Sequence, residues 1–212
     1  MHVQDMDGSS PDLPPGTSGR IRNSRAAVSF EERADDAELA RRAGLGDREA
    51  FAEIFRRHGP ALFRYALGML EGNAADAEDA VQNAWTRVWL RIGTFRGEAR
   101  LRTWLFAIAA REVLNQRRRR RPVPVGDDLL IAVAAPLDQE PEAHLDHEQL
   151  RQALTLALTE LPWRQRESWI LREMEGLSYD DIAGILGTTP TVVRGQLHRA
   201  RTSLAARMEK WR

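Results

Sequence analysis

The stretch Ser178-Tyr-Asp-Asp-Ile-Ala-Gly-Ile-Leu-Gly-Thr-Thr-Pro-Thr-Val-Val-Arg-Gly-Gln-Leu-His-Arg-Ala-Arg201 decides the fold. Ser178 with Asp181 three residues on has the spacing of a capping box, and Ile182, Ala183, Ile185 and Leu186 follow as a short apolar helix that Gly187 ends. Thr189 can then cap a second helix, with Pro190 at the first helical position, where its missing N–H costs nothing. That helix gathers Val193, Leu197, Ala200 and Leu204 on one face, which predicts burial there. Thr191, Arg194, Gly195, His198 and Arg201 fall on or beside the outward face. Small Ala183 and Val193 permit a close crossing of the two helices, so the pair reads as a helix-turn-helix whose second member can enter a major groove. Gly195 costs about 1 kcal/mol of helix propensity, which close backbone approach to DNA would justify. Arg194 and Arg201 have the chemistry to reach guanine edges or phosphates.

Working outward, the rest of the chain repeats the 3.6-residue period and nowhere shows β alternation. Helical patterning starts at Ala34 with Leu39, Ala43, Phe51, Ile54 and Phe55, and a second run, Leu62 to Leu70, follows Gly59-Pro60. A third helix is expected from the acidic start Asp76-Ala-Glu-Asp79, where carboxylates favour the positive helix end. Its apolar face comprises Ala80, Val81, Ala84, Trp85, Val88, Trp89 and Ile92. The glycine-flanked loop Gly93-Thr-Phe-Arg-Gly97 precedes a fourth helix from about Leu101 into the run Arg117 to Arg121. Leucines resume at 145, 150, 154, 158 and 161, and Pro162 is placed to open a helix carrying Trp169, Ile170 and Leu171. The fold class is therefore all-α, two small helical domains joined by an extended acidic linker. The expected boundaries are a disordered Ser/Gly/Pro-rich tail over 1–29, a first domain over 30–121, a proline-containing linker over 122–145 and a second domain over 146–212.

Composition excludes several classes. In 212 residues there is no cysteine, hence no disulfide, thiolate metal site or cysteine nucleophile, and no apolar run approaches the length of a membrane span. The first 29 residues carry no apolar segment of a secretory signal. Net charge is zero, from 31 basic and 31 acidic side chains, yet the charges are segregated. Residues 91–121 hold ten arginines against Glu98 and Glu112, a local net of +8. Residues 122–148 carry seven carboxylates and no Lys or Arg, and residues 188–212 return to +5. Two basic blocks about an acidic spacer suit two contacts with a polyanion. His144-x-x-His147-Glu148 lacks further clustered ligands, so no metal site is read there, nor any catalytic motif or cofactor site elsewhere.

Between Asp36 and Met208 the chain resembles the bacterial sigma-70 family of RNA polymerase sigma factors, specifically its group 4, the extracytoplasmic-function (ECF) members. The matching strings are Asp76-Ala-Glu-Asp-Ala-Val-Gln82, Phe95-Arg-Gly-Glu-Ala99, Arg102-Thr-Trp-Leu105, Leu161-Pro162, Leu177-Ser-Tyr-Asp-Asp-Ile-Ala183 and Leu197-His-Arg-Ala-Arg201. Each is weak alone, but together their order and spacing are specific. The resemblance implies a sigma-2 domain and a sigma-4 domain with no sigma-3 between them. It implies a promoter-specificity subunit without catalysis of its own, which binds core RNA polymerase, recognises the minus-35 and minus-10 elements and melts the latter. The bacterial cytoplasm and nucleoid would be its location, with an anti-sigma factor as a further partner that can hold it at the inner membrane.

Site residues follow from the same resemblance. Asp79, Gln82, Asn83, Arg87 and Trp89 would meet the β′ clamp helices, although the apolar stripe gives Trp85 and Trp89 a core role as well. Asn83 stands where relatives commonly carry an acid, which alters the electrostatics of that contact. Phe95, Arg96 and Gly97 belong to the loop that holds a base flipped from the melted non-template strand. A glycine loop beside arginines and aromatics can compensate lost base stacking. Arg100, Arg102, Trp104, Arg111, Asn115, Arg118, Arg119 and Arg120 would bind the minus-10 segment, Trp104 and Phe106 being equally readable as core. In sigma-4, Thr189, Thr191, Arg194, Gly195, Gln196, His198, Arg199 and Arg201 would read the minus-35 duplex, while apolar residues near Trp169 would grip the β flap. Pro190-Thr-Val192 and Gly195-Gln196 depart from the usual family strings and imply an unusual minus-35 preference, since Gln reads adenine where Arg favours guanine. A stand-alone helix-turn-helix regulator and a sigma-like decoy that occupies polymerase without opening promoters remain as alternatives.

Overall fold

The computed structural model describes residues 35–119 and 144–209, so the expected tail over 1–29, most of the expected linker and Arg120 lie outside the described residues. Every described element is helical: α1 (35–44), α2 (Arg48–Met69), α3 (Ala74–Arg91), a 3-10 turn (Ile92–Thr94), α4 (Leu101–Arg119), α5 (His144–Thr159), α6 (Trp163–Trp169), α7 (Tyr179–Leu186) and α8 (Pro190–Arg207). A π turn, Ile170–Met174, continues α6.

Local chemistry sets the boundaries. Asp47 accepts hydrogen bonds from the Glu49 and Ala50 amides at 3.0 and 3.1 Å and starts α2. Asn73 accepts from the Asp76 amide at 3.0 Å and starts α3, three residues before the acidic start expected from the sequence. Gly59-Pro60 does not end a helix: α2 runs through Pro60, and the break lies instead at Leu45-Gly46, where Gly46 has φ +92°. Burial decides this outcome. Ile54, Leu62, Tyr65 and Ala66 are wholly buried along α2, and their packing outweighs the one hydrogen bond that proline removes.

The first unit packs α2, α3 and α4 around Ile54, Leu62, Met69, Val88, Leu105, Phe106 and Val113. In the second, α5 and α6 lie against α8, and Ala157, Leu158, Leu161, Ala200 and Leu204 form a small cluster. The two units are not held apart. The main core runs on without interruption from Leu62, Leu105 and Phe106 into Ile170, Leu171, Leu177, Ile182, Ala183, Val193 and Leu197. At Gly68 of α2 the missing side chain admits Ile170, whose Cδ1 lies 2.9 Å from where a Cβ would stand.

Candidate nucleic-acid and polymerase interfaces

The helix-turn-helix forms as its sequence dictates. Ser178 Oγ accepts from the Asp181 amide at 3.1 Å, and the Ser178 amide donates to Asp181 Oδ2 at 3.3 Å, completing the capping box. Gly187 ends α7 in the left-handed region, with φ 61° and ψ 45°. Thr189 Oγ1 then accepts from the Val192 amide at 3.4 Å and Pro190 opens α8. Val193, Leu197, Ala200 and Leu204 are buried as the spacing predicts. Thr191, Arg194, His198, Arg199 and Arg201 are exposed, as is the cap Thr189, while Gly195 and Gln196 are half-buried. Arg194 Nη2 donates to Thr191 Oγ1 at 3.2 Å, which aims its guanidinium along the start of the helix. Arg201 is held differently: it lies 2.5 Å from Glu173 of the π turn, a hydrogen bond that raises its pKa.

A cleft of about 900 Å³ opens beside the glycine loop. Gly97, at φ +74°, turns the backbone there, and Phe95 packs on Trp104 with ring centroids 5.5 Å apart. The loop contributes Phe95, Gly97 and Arg100 to the lining, and Arg102 joins them from α4. The lining also holds three α2 arginines outside the sequence motifs, Arg56, Arg57 and Arg64, together with the carboxylates Asp35, Asp36 and Glu98, Asp35 lying 2.7 Å from Arg57. The available signal was spacing: Arg57 and Arg64 are seven residues apart and share one helix face. Arg96 is exposed on the loop.

On the other side of α4, Trp104, Arg111 and Asn115 line a smaller cleft of about 300 Å³ together with Arg87 and Arg91 of α3. Arg87 Nε lies 2.5 Å from Oε1 of buried Glu112, so this residue sits between the α3 face and the α4 cleft. Trp104 is half-buried and Phe106 wholly buried, which divides the two aromatics between surface and core. Arg118 and Arg119 extend into solvent at the end of α4, whereas Arg117 lies over the Trp163 ring at 4.3 Å.

The outer face of α3 presents Asp79, Gln82 and Asn83, all exposed. Trp89 is 42% exposed and Trp85 is buried. Phe51 stands edge-on to both, at 5.9 Å from Trp85 and 4.8 Å from Trp89, and Phe55 lies 4.9 Å from Trp85. Trp89 therefore serves as both packing and surface, at the rim of an aromatic box beside the polar face. The side chains of His144, His147 and Glu148 lie outside the described residues.

Two family models match these two helical units. The Sigma-70 region 2 model matches residues 54–123, and the Sigma-70, region 4 model matches residues 151–204. Among similar proteins, the ECF RNA polymerase sigma factor SigM of Mycobacterium tuberculosis is 33% identical over 84% of this chain and 88% of its own length. The ECF RNA polymerase sigma factor EcfG of Rhodopseudomonas palustris is 36% identical over 69% of this chain and 78% of its own. Of solved structures, CnrH in complex with the cytosolic domain of CnrY aligns with a TM-score of 0.64 at 26% identity, covering 83% of this chain and 98% of that one. The sigma factor RpoE in complex with the anti-sigma factor NepR from Bartonella quintana aligns at 0.63 and 30% identity, covering 75% and 96%. The chain belongs to the sigma-70 family, as an ECF sigma factor with a sigma-2 and a sigma-4 domain. It is a transcription initiation factor. Among the described residues no helix is long and apolar enough to cross a membrane.

Proposed function

We propose that this ECF sigma factor binds core polymerase through the α3 face, Asp79, Gln82, Asn83, Arg87 and Trp89, and reads a promoter at two places. The α8 face, from Thr189 to Arg201, takes the minus-35 duplex. The cleft behind Phe95, Arg96 and Gly97 takes a base flipped from the minus-10 segment, and the arginines along α4 hold its phosphates. The observation that carries this reading is the conjunction of a capped helix-turn-helix with a basic face and a cleft at a glycine loop whose lining holds five arginines against three carboxylates, on one chain. Each feature alone fits many DNA-binding proteins. Together they supply what promoter opening needs, a duplex anchor and a pocket that compensates lost stacking.

The domain limits proposed are 30–121 for sigma-2 and 146–212 for sigma-4, with 122–145 joining them. An anti-sigma protein is proposed as the regulating partner, supported by the aligned RpoE structure, which holds the anti-sigma factor NepR. Location in the bacterial cytoplasm and nucleoid follows from the same role. The test is co-migration of the purified chain with core RNA polymerase on size exclusion at about 0.15 M salt, where loose charge attraction is screened. A stable complex that Asp79→Arg abolishes is the expected result. Separate elution of folded protein contradicts the polymerase contact and favours a regulator that binds duplex DNA unaided.

A further inference from the structure

Helix α4 carries five arginines, Arg102, Arg111, Arg117, Arg118 and Arg119, and a single acid, Glu112. A carboxylate opposes phosphate binding and ordinarily stays in water, yet Glu112 is only 4% exposed. It stands in the wall of the cleft of about 300 Å³ between α3 and α4, among Arg87, Arg91 and Arg111. Its two oxygens are divided between two side chains. Oε1 lies 2.5 Å from Arg87 Nε, and Oε2 accepts from Asn115 Nδ2 at 3.5 Å. Packing does not call for a charge here, since burying a carboxylate costs more than burying an apolar side chain of like volume. The proposed function, as stated, gives Glu112 no task.

The carboxylate changes what the cleft can hold. Three guanidiniums around one cavity would clamp the phosphates of any sequence, because clustered arginine binds the DNA backbone whatever the base. A buried carboxylate against one of them cancels part of that field and repels a phosphate entering beside it, the more strongly where water is partly excluded. A neutral base edge meets no such repulsion, and a base amino group gains a strong acceptor. An ionised carboxylate can only accept, so Glu112 also decides which way the Asn115 amide faces: Nδ2 turns to Glu112, and Oδ1 is left for a donor from outside. Trp104 lines the same cleft and packs on Phe95, which joins this site to the glycine loop proposed to hold the flipped base.

We infer that Glu112 is a specificity-determining residue: by holding Arg87 and Asn115 and repelling phosphate, it makes the cleft between α3 and α4 take a base edge of the minus-10 segment in place of the DNA backbone. Backbone contacts then fall to Arg118 and Arg119, which extend into solvent at the end of α4. The inference rests on the proposed minus-10 role of α4.

The test uses holoenzyme assembled from the full chain and core polymerase, with two promoters: one that the parent transcribes, and the same one with its minus-10 sequence scrambled. Glu112→Gln removes the charge and keeps the shape. Glu112→Met removes it and suits a buried site, while Arg87, about half exposed, keeps its hydration. Both variants should bind the scrambled promoter about tenfold more tightly than the parent, and discrimination between the two promoters should fall about tenfold, the scale of one charge-assisted contact. The logarithmic salt slope on the scrambled promoter should steepen by about 0.7–0.9, the contribution of one further phosphate. Preference at the minus-35 element should not change. Folded variants that weaken both promoters alike, with the slope unchanged, leave Glu112 a purely structural role and overturn the inference, and so do variants that discriminate as the parent does. A parent holoenzyme that binds and transcribes both promoters equally overturns the minus-10 reading of α4 itself, and the inference with it.

Discussion

Single side chains on α2, α4 and α8 carry three expectations that can be checked without a partner structure. Glu53 bonds Arg56 and Arg57 on its own helix, and these hydrogen bonds hold its carboxyl down to about 2 from an ordinary 4.5. Its contribution to stability is thus fully present above pH 4.5 and is lost as pH falls through about 2. The gap in thermal midpoint between the parent and Glu53→Gln should be constant from neutral pH to about 4.5 and close on further acidification. Arg194 projects from the exposed start of α8, so Arg194→Ala should cost about 1–3 kcal/mol on the preferred minus-35 sequence and relax selectivity at one position. Arg118→Ala and Arg119→Ala should weaken all promoters alike, as phosphate contacts do; binding measured across a promoter library separates the two patterns. At this scale sequence legibility followed distance along the chain. Ser178 and Thr189 cap helices through atoms three residues away, and the local string reveals both. The partnership of Arg64 with Glu175 spans 111 residues, and nothing local to either residue announces it.

Helices were legible in number and phase, less so at their ends. The apolar periodicity of α3 and α8 marks their buried faces, because one strip of each helix must leave water. Gly59-Pro60 was a misleading stop. The cost of a proline is about 3 kcal/mol, within what burial of one or two large side chains on the same helix supplies. Pro60 is exposed, so Pro60→Ala should restore the missing backbone hydrogen bond and raise unfolding free energy by about 1–3 kcal/mol, read from chemical denaturation. No gain would contradict the cost assigned to the proline. The π turn over Ile170–Met174 was also invisible in the string, since one extra residue in a helical turn leaves the hydrophobic pattern almost unchanged. It nevertheless fixes the interdomain contact: Glu175 follows it directly, and Ile170 within it meets Gly68.

Across the whole molecule, charge segregation and the order of the motifs revealed the family, while the relation between the domains did not follow from either. A tether permits both separation and contact, and the contact arises from buried groups on α2, α4, α6 and α7 whose neighbours lie beyond any sequence window. The cleft wall of Arg56, Arg57 and Arg64 was missed for the same reason: helix periodicity groups residues on one face but does not say which loop that face will meet. In the proposed function, this chain gives core polymerase its choice of promoter. The direct measurement is run-off transcription with core RNA polymerase and a randomised promoter library, with and without the protein. Transcripts that appear only with the protein, from templates sharing one minus-35 and one minus-10 sequence, are the expected result. Stable polymerase binding with no transcript from any template would contradict the account and make the chain a decoy that occupies polymerase without opening DNA.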